Sequence, residues 1–292
     1  MERPAKSRAP LAFILSSSRP RGNSGRASVT LNVEVVQPDV LRLHMWSWQG
    51  RLAGYEVSAY VMGGVLVDMG APRGWRDLEP VLRTMSLRGA VITHCHEDHA
   101  GNAVELAAMG MPLLMHPACE AALRNPETIG VYRRLVWGSP RALTGHVRSF
   151  DPSPLTVLPL PGHTEDHLVV WDAERRILAG GDVFLGVKVR VAHDGESPTR
   201  LVESLRAIVA LAPRLLLDAH RGPIERPAAL LRAKADWLES VIAEVTRLAD
   251  AGLAEREITR RVLGREEFVG WISRGEYSKR SLVQAVLRGR SE

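Results

Sequence analysis

The fold of this chain has to accommodate the segment VITHCHEDHAGN, residues 91–102, which crowds His94, His96, Asp98 and His99 into six positions. The whole chain of 292 residues has only ten histidines. Burying three imidazoles and a carboxylate without a partner is costly. His94 and His96 are two residues apart, so both rings point the same way on an extended segment that leaves a strand. The segment therefore predicts a metal site.

Three further candidate ligands lie downstream, each beside the end of a predicted strand. They are His163 in PGHTEDH, Asp182 in GGDVF and His220 in DAHRG. With the first segment they offer three imidazoles for one metal ion, an Asp and two His for another, and one carboxylate to bridge the two. Such ligand sets with open positions suit catalytic zinc, with iron or manganese as alternatives.

Hydrophobic periodicity predicts an α/β fold. VTLNVEVV and LRLHMWSW alternate as half-buried strands do, and EVSAYVMGGVLVDMG reads as a hairpin that turns at Gly63–Gly64. Strands then alternate with helices, one of them spanning roughly residues 75–85. A second β-rich half follows, with a helix that Ser197 caps and that runs to about Leu211. We expect two sheets packed face to face with helices outside.

Three regions are predicted along the chain. Residues 1–28 are rich in Ser, Arg, Pro and Gly and are expected to form a flexible leader. Residues 29–226 form the catalytic domain. Residues 227–292 form a helical C-terminal region with three helices, which offers a surface for a homo-oligomer.

Composition limits location and partners. The formal net charge is +5, but the basic residues are scattered, so charge alone does not indicate nucleic-acid binding. The two cysteines, Cys95 and Cys119, lack CxxC spacing, and a reducing cytoplasm is the simplest setting. Arg3, Lys6 and Arg8 precede a short apolar stretch, so export is the less favoured alternative. No apolar run reaches the roughly 18 residues that a membrane span requires.

The HxHxDH pattern, followed by a glycine-flanked His, a GD and a final His, resembles the metallo-β-lactamase superfamily over roughly residues 30–225. The resemblance implies a four-layer αβ/βα sandwich with two metal ions at one edge between the sheets. It implies that metal one binds His94, His96 and His163, that metal two binds Asp98, His99 and His220, and that Asp182 bridges them. The segment PGHTEDHLVV…AGGDVFLG with a helical tail is similar to the lactamase-beta-2-like branch, which includes endoribonucleases, and to the glyoxalase II-like branch of thioesterases.

The charge of such a centre predicts hydrolysis. The two cations would lower the pKa of bound water, and the resulting hydroxide would attack a carbonyl or phosphoryl group. Asp98 is the predicted catalytic residue, which orients the nucleophile and relays its proton. The favoured substrate is a small ester, thioester or lactone. RNA phosphodiesters are the alternative.

Other residues have weaker predicted roles. Asp68, at a strand end, is expected to hydrogen-bond a ligand imidazole. Possible substrate contacts are Trp46, Trp48, Tyr55, Lys188 and Arg190. Cys95 and His167 are expected to be structural. Four histidines have no supporting neighbours in the sequence and receive no role: His44, His116, His146 and His193.

Overall fold

A computed structural model describes residues 29–47 and 56–290. The predicted leader and the residues Trp48 and Tyr55 lie outside these ranges. The first sheet contains β1 (Val29–Gln37), β2 (Val40–Ser47), β3 (Glu56–Met62), β4 (Val65–Val67), β5 (Gly89–Val91) and β6 (Leu113–Leu114). The second contains β7 (Thr156–Pro159), β8 (Leu168–Asp172), β9 (Ile177–Gly181), β10 (Leu215–Asp218) and β11 (Gly222–Glu225).

Nine α-helices flank these strands in the described part of the chain. Those that precede the C-terminal region are α1 (Trp75–Leu82), α2 (Ala103–Ala108), α3 (Pro117–Arg124), α4 (Val131–Val136) and α5 (Pro198–Leu211). The C-terminal helices are α6 (Ala228–Asp250), α7 (Glu255–Leu263), α8 (Phe268–Ile272) and α9 (Lys279–Arg288). None of the described helices combines the length and the apolar character that crossing a lipid bilayer requires.

The first sheet runs in the order β1-β2-β3-β4-β5-β6. Its first four strands form an antiparallel meander, and the predicted hairpin turns at Gly63 and Gly64, both with positive φ, as a tight two-residue turn requires. β4, β5 and β6 are parallel. The carboxyl ends of β4 and β5 therefore meet at one edge of the sheet, which places Asp68 beside the motif that follows β5.

The second sheet runs in the order β11-β10-β9-β8-β7. β9 and β10 are parallel and are joined through α5, while the other neighbours are antiparallel. Asp182 follows β9 directly and His220 follows β10 within two residues. This sheet thus delivers both side chains to the same edge.

Three hydrophobic clusters define four layers. A central cluster joins residues of both sheets, for example Val67 and Val91 with Val170 and Leu217. A second covers the outer face of the first sheet with α1, α2 and α3. A third covers the second sheet with α5 and the first half of α6. The two sheets therefore pack face to face between helical layers, which confirms the predicted αβ/βα architecture.

Several details differ from the sequence prediction. Strand β11 and the short helices α4 and α8 were not predicted, because four to six residues carry too little periodicity to be recognised. Helix α1 ends at Leu82, three residues early. Ser197 precedes α5, but its side chain makes no capping hydrogen bond. Its backbone N–H donates to the carbonyl of Gly162, next to His163.

Candidate metal centre

The two sheets bring the predicted ligands together at one edge. The backbone N–H of Leu168 donates to the carbonyl of Thr93, and the hydroxyl of Tyr60 donates to the carbonyl of Asp218 at 2.7 Å. These bonds fasten the segment after β5 to β8, and β3 to the end of β10. Side chains that are more than a hundred residues apart in sequence therefore face one another in fixed positions.

The first cluster consists of His94, His96, His163 and Asp182, whose candidate ligand atoms all lie within 4.8 Å of one another. His96 Nδ1 lies 3.0 Å from His94 Nε2 and 3.2 Å from His163 Nε2. His94 is fully buried, and His163 and Asp182 are each 5% exposed. Three imidazole nitrogens thus converge in a site that is largely closed to solvent.

The second cluster consists of Asp98, His99 and His220, again within 4.8 Å. Asp182 lies between the clusters. Its Oδ2 is 3.5 Å from His163 Nε2, while its Oδ1 is 3.2 Å from both His99 Nε2 and His220 Nε2. The two oxygens of one carboxylate therefore face different clusters.

The outward nitrogen of each of three ligand candidates is already engaged. Asp68 Oδ2 accepts from His99 Nδ1 at 2.8 Å and from the Thr93 hydroxyl at 2.9 Å. The Thr93 oxygen is itself 3.0 Å from His94 Nδ1. His220 Nδ1 donates to the carbonyl of Glu56 at 2.6 Å. These contacts leave the Nε2 atoms of His94, His99 and His220 for a ligand inside the site, an arrangement typical of metal-binding histidines.

The residues present fit divalent metal ions. His99 Nε2 and Asp182 Oδ1 are buried and make no hydrogen bond, although they lie 3.2 Å apart. Buried polar atoms without a partner are rare, and each calls for an explanation such as an ion. A set of imidazole nitrogens and carboxylate oxygens is the donor set that zinc, iron and manganese prefer.

The protonation states also fit cations. Burial and neighbouring imidazoles hold the pKa of His94 and His96 well below its usual range, so these rings are neutral, as a ligand must be. Burial also acts to lower the pKa of His220, but the carboxylates of Asp182 and Asp98 outweigh it and raise the value to about 9. They likewise raise the pKa of His99 well above its usual range. The carboxylates of Asp98 and Asp182 therefore favour positive charge beside them.

The predicted substrate contacts lie at different places around this edge. Trp46 lies opposite Glu56 in the pairing of β2 and β3, and the Glu56 carbonyl accepts a hydrogen bond from His220 of the second cluster. Lys188 and Arg190 are exposed on the segment that follows Asp182. They form no ion pair with any residue of the described chain.

One histidine without a predicted role lies against the centre. The ring of His193 is 4.8 Å from that of His96 and 4.9 Å from that of His163, between centroids. Its Nε2 donates to the carbonyl of His163 at 2.6 Å, and its Nδ1 accepts from the Gly195 N–H at 3.1 Å. Treating His193 as incidental was therefore wrong. Both of its nitrogens thus have hydrogen-bond partners, and its ligand atoms also lie within 4.8 Å of those of His163 and Glu196, which makes a third group of candidate ligands. The isolated position of His193 in the sequence carried no signal of this.

One acidic and one basic side chain behind the centre, Glu196 and Lys234, were also not predicted from the sequence. Glu196 Oε2 lies 3.8 Å from His163 Nδ1, and burial raises the pKa of this carboxyl to about 8. Lys234 of α6 is 2% exposed, and its ammonium donates to the carbonyls of Val183 and Phe184, directly after Asp182. A lone lysine in an amphipathic helix is normally placed on the solvent face, so sequence reasoning had no reason to select Lys234.

Cys95 and His167 lie where a structural role was predicted for them, among packing and backbone contacts. The Cys95 backbone N–H donates to Asp166 Oδ2 at 2.9 Å, its side chain packs on the cluster outside the first sheet, and burial raises the pKa of its thiol to about 12. His167 Nε2 accepts from the backbone N–H of Asp182 at 3.2 Å. Burial lowers the pKa of His167 to about 4.

Comparison with known proteins agrees with this fold. Residues 53–220, more than half of the chain, match the family model of the metallo-beta-lactamase superfamily. The chain belongs to this superfamily.

Among solved structures, a metallo-beta-lactamase family protein from Thermus thermophilus matches with a TM-score of 0.59 at 17% identity, covering 90% of this chain and 94% of that one. The crystal structure of VMB-1 matches with a TM-score of 0.56 at 19% identity, covering 74% of this chain and 99% of that one. These likenesses describe the fold.

Curated relatives match in sequence over part of their length. A hydroxyacylglutathione hydrolase of Bdellovibrio bacteriovorus is 30% identical over 134 residues, which cover 46% of this chain and 48% of the relative. An atrochrysone carboxyl ACP thioesterase of Aspergillus fumigatus is 27% identical over 202 residues, which cover 66% of this chain and 59% of the relative. The chain spans between 44% and 64% of the length of the first four curated relatives it matches.

Proposed function

We propose that this chain is a metal-dependent hydrolase with a dinuclear centre that acts on a small thioester, ester or lactone. The observation that carries the proposal is the position of Asp182, whose two carboxylate oxygens face two separate clusters of buried ligand atoms. His94, His96 and His163 would hold one ion, and Asp98, His99 and His220 the other. Zinc suits this set best, with iron or manganese as alternatives.

Divalent cations bound there supply Lewis acidity, which lowers the pKa of water and polarises an acyl oxygen. The chain's own residues prepare this chemistry. Asp98 is 8% exposed, and its Oδ2 lies 3.4 Å from His220 Nε2. We assign to Asp98 the orientation of the attacking water and the acceptance of its proton. Asp68, through His99 and Thr93, holds the ligand rings in place.

The substrate would approach from the exposed side of this edge. We assign to Trp46 an apolar wall for the substrate, and to Lys188 and Arg190, on the segment after Asp182, the binding of a negatively charged group. An acyl substrate is favoured over a phosphodiester because matched relatives are named hydroxyacylglutathione hydrolase and ACP thioesterase. The boundary after residue 226, a cytoplasmic location and an oligomer through the C-terminal helices remain predictions.

Two measurements on the purified chain test the proposal. Elemental analysis should find two divalent ions per chain, and a panel of thioesters, esters, lactones and single-stranded RNA should show acyl hydrolysis. His96→Ala should abolish metal binding and turnover, because it removes the nitrogen at the centre of the first cluster. The matched control is His146→Ala, which alters an exposed histidine outside the site. Substantial turnover by His96→Ala contradicts the proposal, and salt-sensitive RNA cleavage without acyl hydrolysis would favour the ribonuclease alternative.

A further inference from the structure

Arg133, in the short helix α4, lies between the metal-binding motif and the C-terminal region. Its Nε donates to Glu97 Oε1 at 2.7 Å, and its Nη2 donates to Glu97 Oε2. Its third nitrogen, Nη1, donates to Glu276 Oε1 at 2.5 Å. The guanidinium therefore binds one carboxylate at both oxygens and a second carboxylate from a segment more than 140 residues away.

Glu97 is the residue between His96 and Asp98, and only 4% of it is exposed. A carboxylate buried to this degree is strongly destabilising without a partner, and a planar guanidinium is the group that satisfies both of its oxygens. The surrounding turn is tight, since the carbonyl of His96 accepts from the N–H groups of His99 and Ala100. A displacement of Glu97 toward solvent would therefore move the side chains on either side of it.

On its other side, Arg133 contacts residues of the C-terminal region. The guanidinium lies 5.7 Å from the centroid of the Tyr277 ring, which is itself 6.1 Å from the ring of His193. Glu276 approaches α4 closely: a Cβ at Gly130 would lie 2.7 Å from Glu276 Oε2. The segment between α8 and α9 thus lies against the start of α4 and beside the ring of His193.

We propose that Arg133 is a positioning residue of the metal centre, which holds the turn carrying His96 and Asp98 through Glu97 and attaches the C-terminal segment to that turn through Glu276. The expected effect on metal affinity rests on the proposed function. The fixing of the turn by Arg133 and Glu97 concerns contacts within the chain and does not depend on a bound metal. Arg133 is expected to act on ligand geometry and not on the substrate.

The central test is the metal affinity of Arg133→Met, which keeps most of the side chain's apolar volume and removes the charge. Competition between the protein and a chromophoric chelator for Zn²⁺ should show binding weakened roughly 10–100-fold, as for other residues that orient metal ligands. Arg134→Met is the matched control, because Arg134 is the exposed neighbour on the same helix. Arg133→Lys should fall between Arg133→Met and the unaltered chain, since an ammonium cannot bind both Glu97 oxygens in the same geometry.

A double variant tests whether the effect passes through Glu97. Arg133→Met leaves a buried carboxylate unpaired, whereas Glu97→Gln combined with Arg133→Met removes that charge, so the double variant should bind Zn²⁺ more tightly than Arg133→Met alone. Adding Glu276→Gln to Arg133→Met should cause no further loss if Glu276 acts through Arg133. Unchanged affinity in Arg133→Met, an equal loss in Arg134→Met, or fully additive effects in both double variants would overturn the proposal.

Hydrogen exchange supplies a readout that needs neither metal nor substrate. In the metal-free chain, Arg133→Met should accelerate amide exchange in residues 96–100 at least several-fold, and Arg134→Met should not. If the unaltered chain binds no metal or hydrolyses no acyl substrate, the proposed function fails while this measurement still decides the role of Arg133. If Arg133→Met does not fold, Arg133→Lys and the Glu97→Gln double variant carry the same comparison, and exchange at the unaltered rate in both contradicts the inference.

Discussion

Asp68→Asn is the substitution whose effect follows most directly from the structure. Asp68 is 2% exposed and accepts three hydrogen bonds, from the Thr93 N–H at 2.8 Å, the Thr93 hydroxyl at 2.9 Å and His99 Nδ1 at 2.8 Å. An amide keeps one acceptor oxygen and turns an NH₂ group toward a donor. At least one of the three bonds is therefore lost, and the others lose the contribution of the negative charge.

The expected cost has two parts. Losing a charge-assisted bond in a buried site should lower the free energy of unfolding of the metal-free chain by about 1–3 kcal/mol. A weaker acceptor at His99 Nδ1 makes the Nε2 atom a poorer ligand, which costs roughly 10–100-fold in metal affinity, or about 1.4–2.8 kcal/mol. The loss should be larger for the second metal ion than for the first, because His99 belongs to the second cluster.

Chelator competition with Zn²⁺ measures the two affinities, and urea unfolding of the metal-free chain measures stability. The control is Asp39→Asn, because Asp39 also has a positive φ but is exposed in the turn between β1 and β2. This variant should match the unaltered protein in both assays. If Asp68→Asn binds both metal ions as tightly as the unaltered chain, the reasoning about the outward nitrogen of His99 is refuted.

Three further outcomes are expected. Lys234→Met should impair metal binding several-fold while Lys188→Met does not, because only the Lys234 ammonium holds the carbonyls that follow Asp182; equal metal affinities in the two variants would contradict this. Unfolding of the metal-free chain should become easier as the pH falls from 6.5 to about 4. Burial lowers the pKa of His167 to about 4, so only the unfolded chain binds a proton at this histidine in that pH range. The free energy of unfolding should fall by up to about 3 kcal/mol per such histidine. A shallower slope in His167→Asn checks its share, and an unchanged slope argues against it. Chelation of the metal ions should lower Tm, since free zinc at about 1,000 times its Kd adds about 4 kcal/mol to stability; an unchanged Tm would mean that no ion binds the folded state.

Much of the fold was predictable because its periodicity is local. The hairpin at Gly63–Gly64, the helix after Ser197 and the alternation of strands and helices are each written in consecutive residues. The short elements were not predicted, because four to six residues are too few to show a periodic pattern. Helix α4 spans Val131–Val136 with none of its residues buried, so it has no apolar face that would predict it. Its proposed role depends on the ion pairs that Arg133 makes with Glu97 and Glu276.

The candidate ligands were predictable from residue type and position. His94 and His96 share an extended segment, and Asp182 and His220 follow strands, so chemistry and strand direction together indicated one edge of the fold. Their supports were not. His193 and Glu196 occupy a loop of ordinary composition, and nothing in the spacing of these residues relates them to His163.

What the sequence alone determined is the identity of the groups able to hold a cation and the class of fold that presents them, because both depend on local pattern and on residue chemistry. What only the tertiary structure decided is which buried charges meet. Arg133 forms ion pairs with Glu97 and with Glu276, residues so far from it in sequence that no periodic pattern predicts either pair. The reason is physical: pairing of buried charges depends on distance and burial in the folded chain, and these arise only when the layers pack.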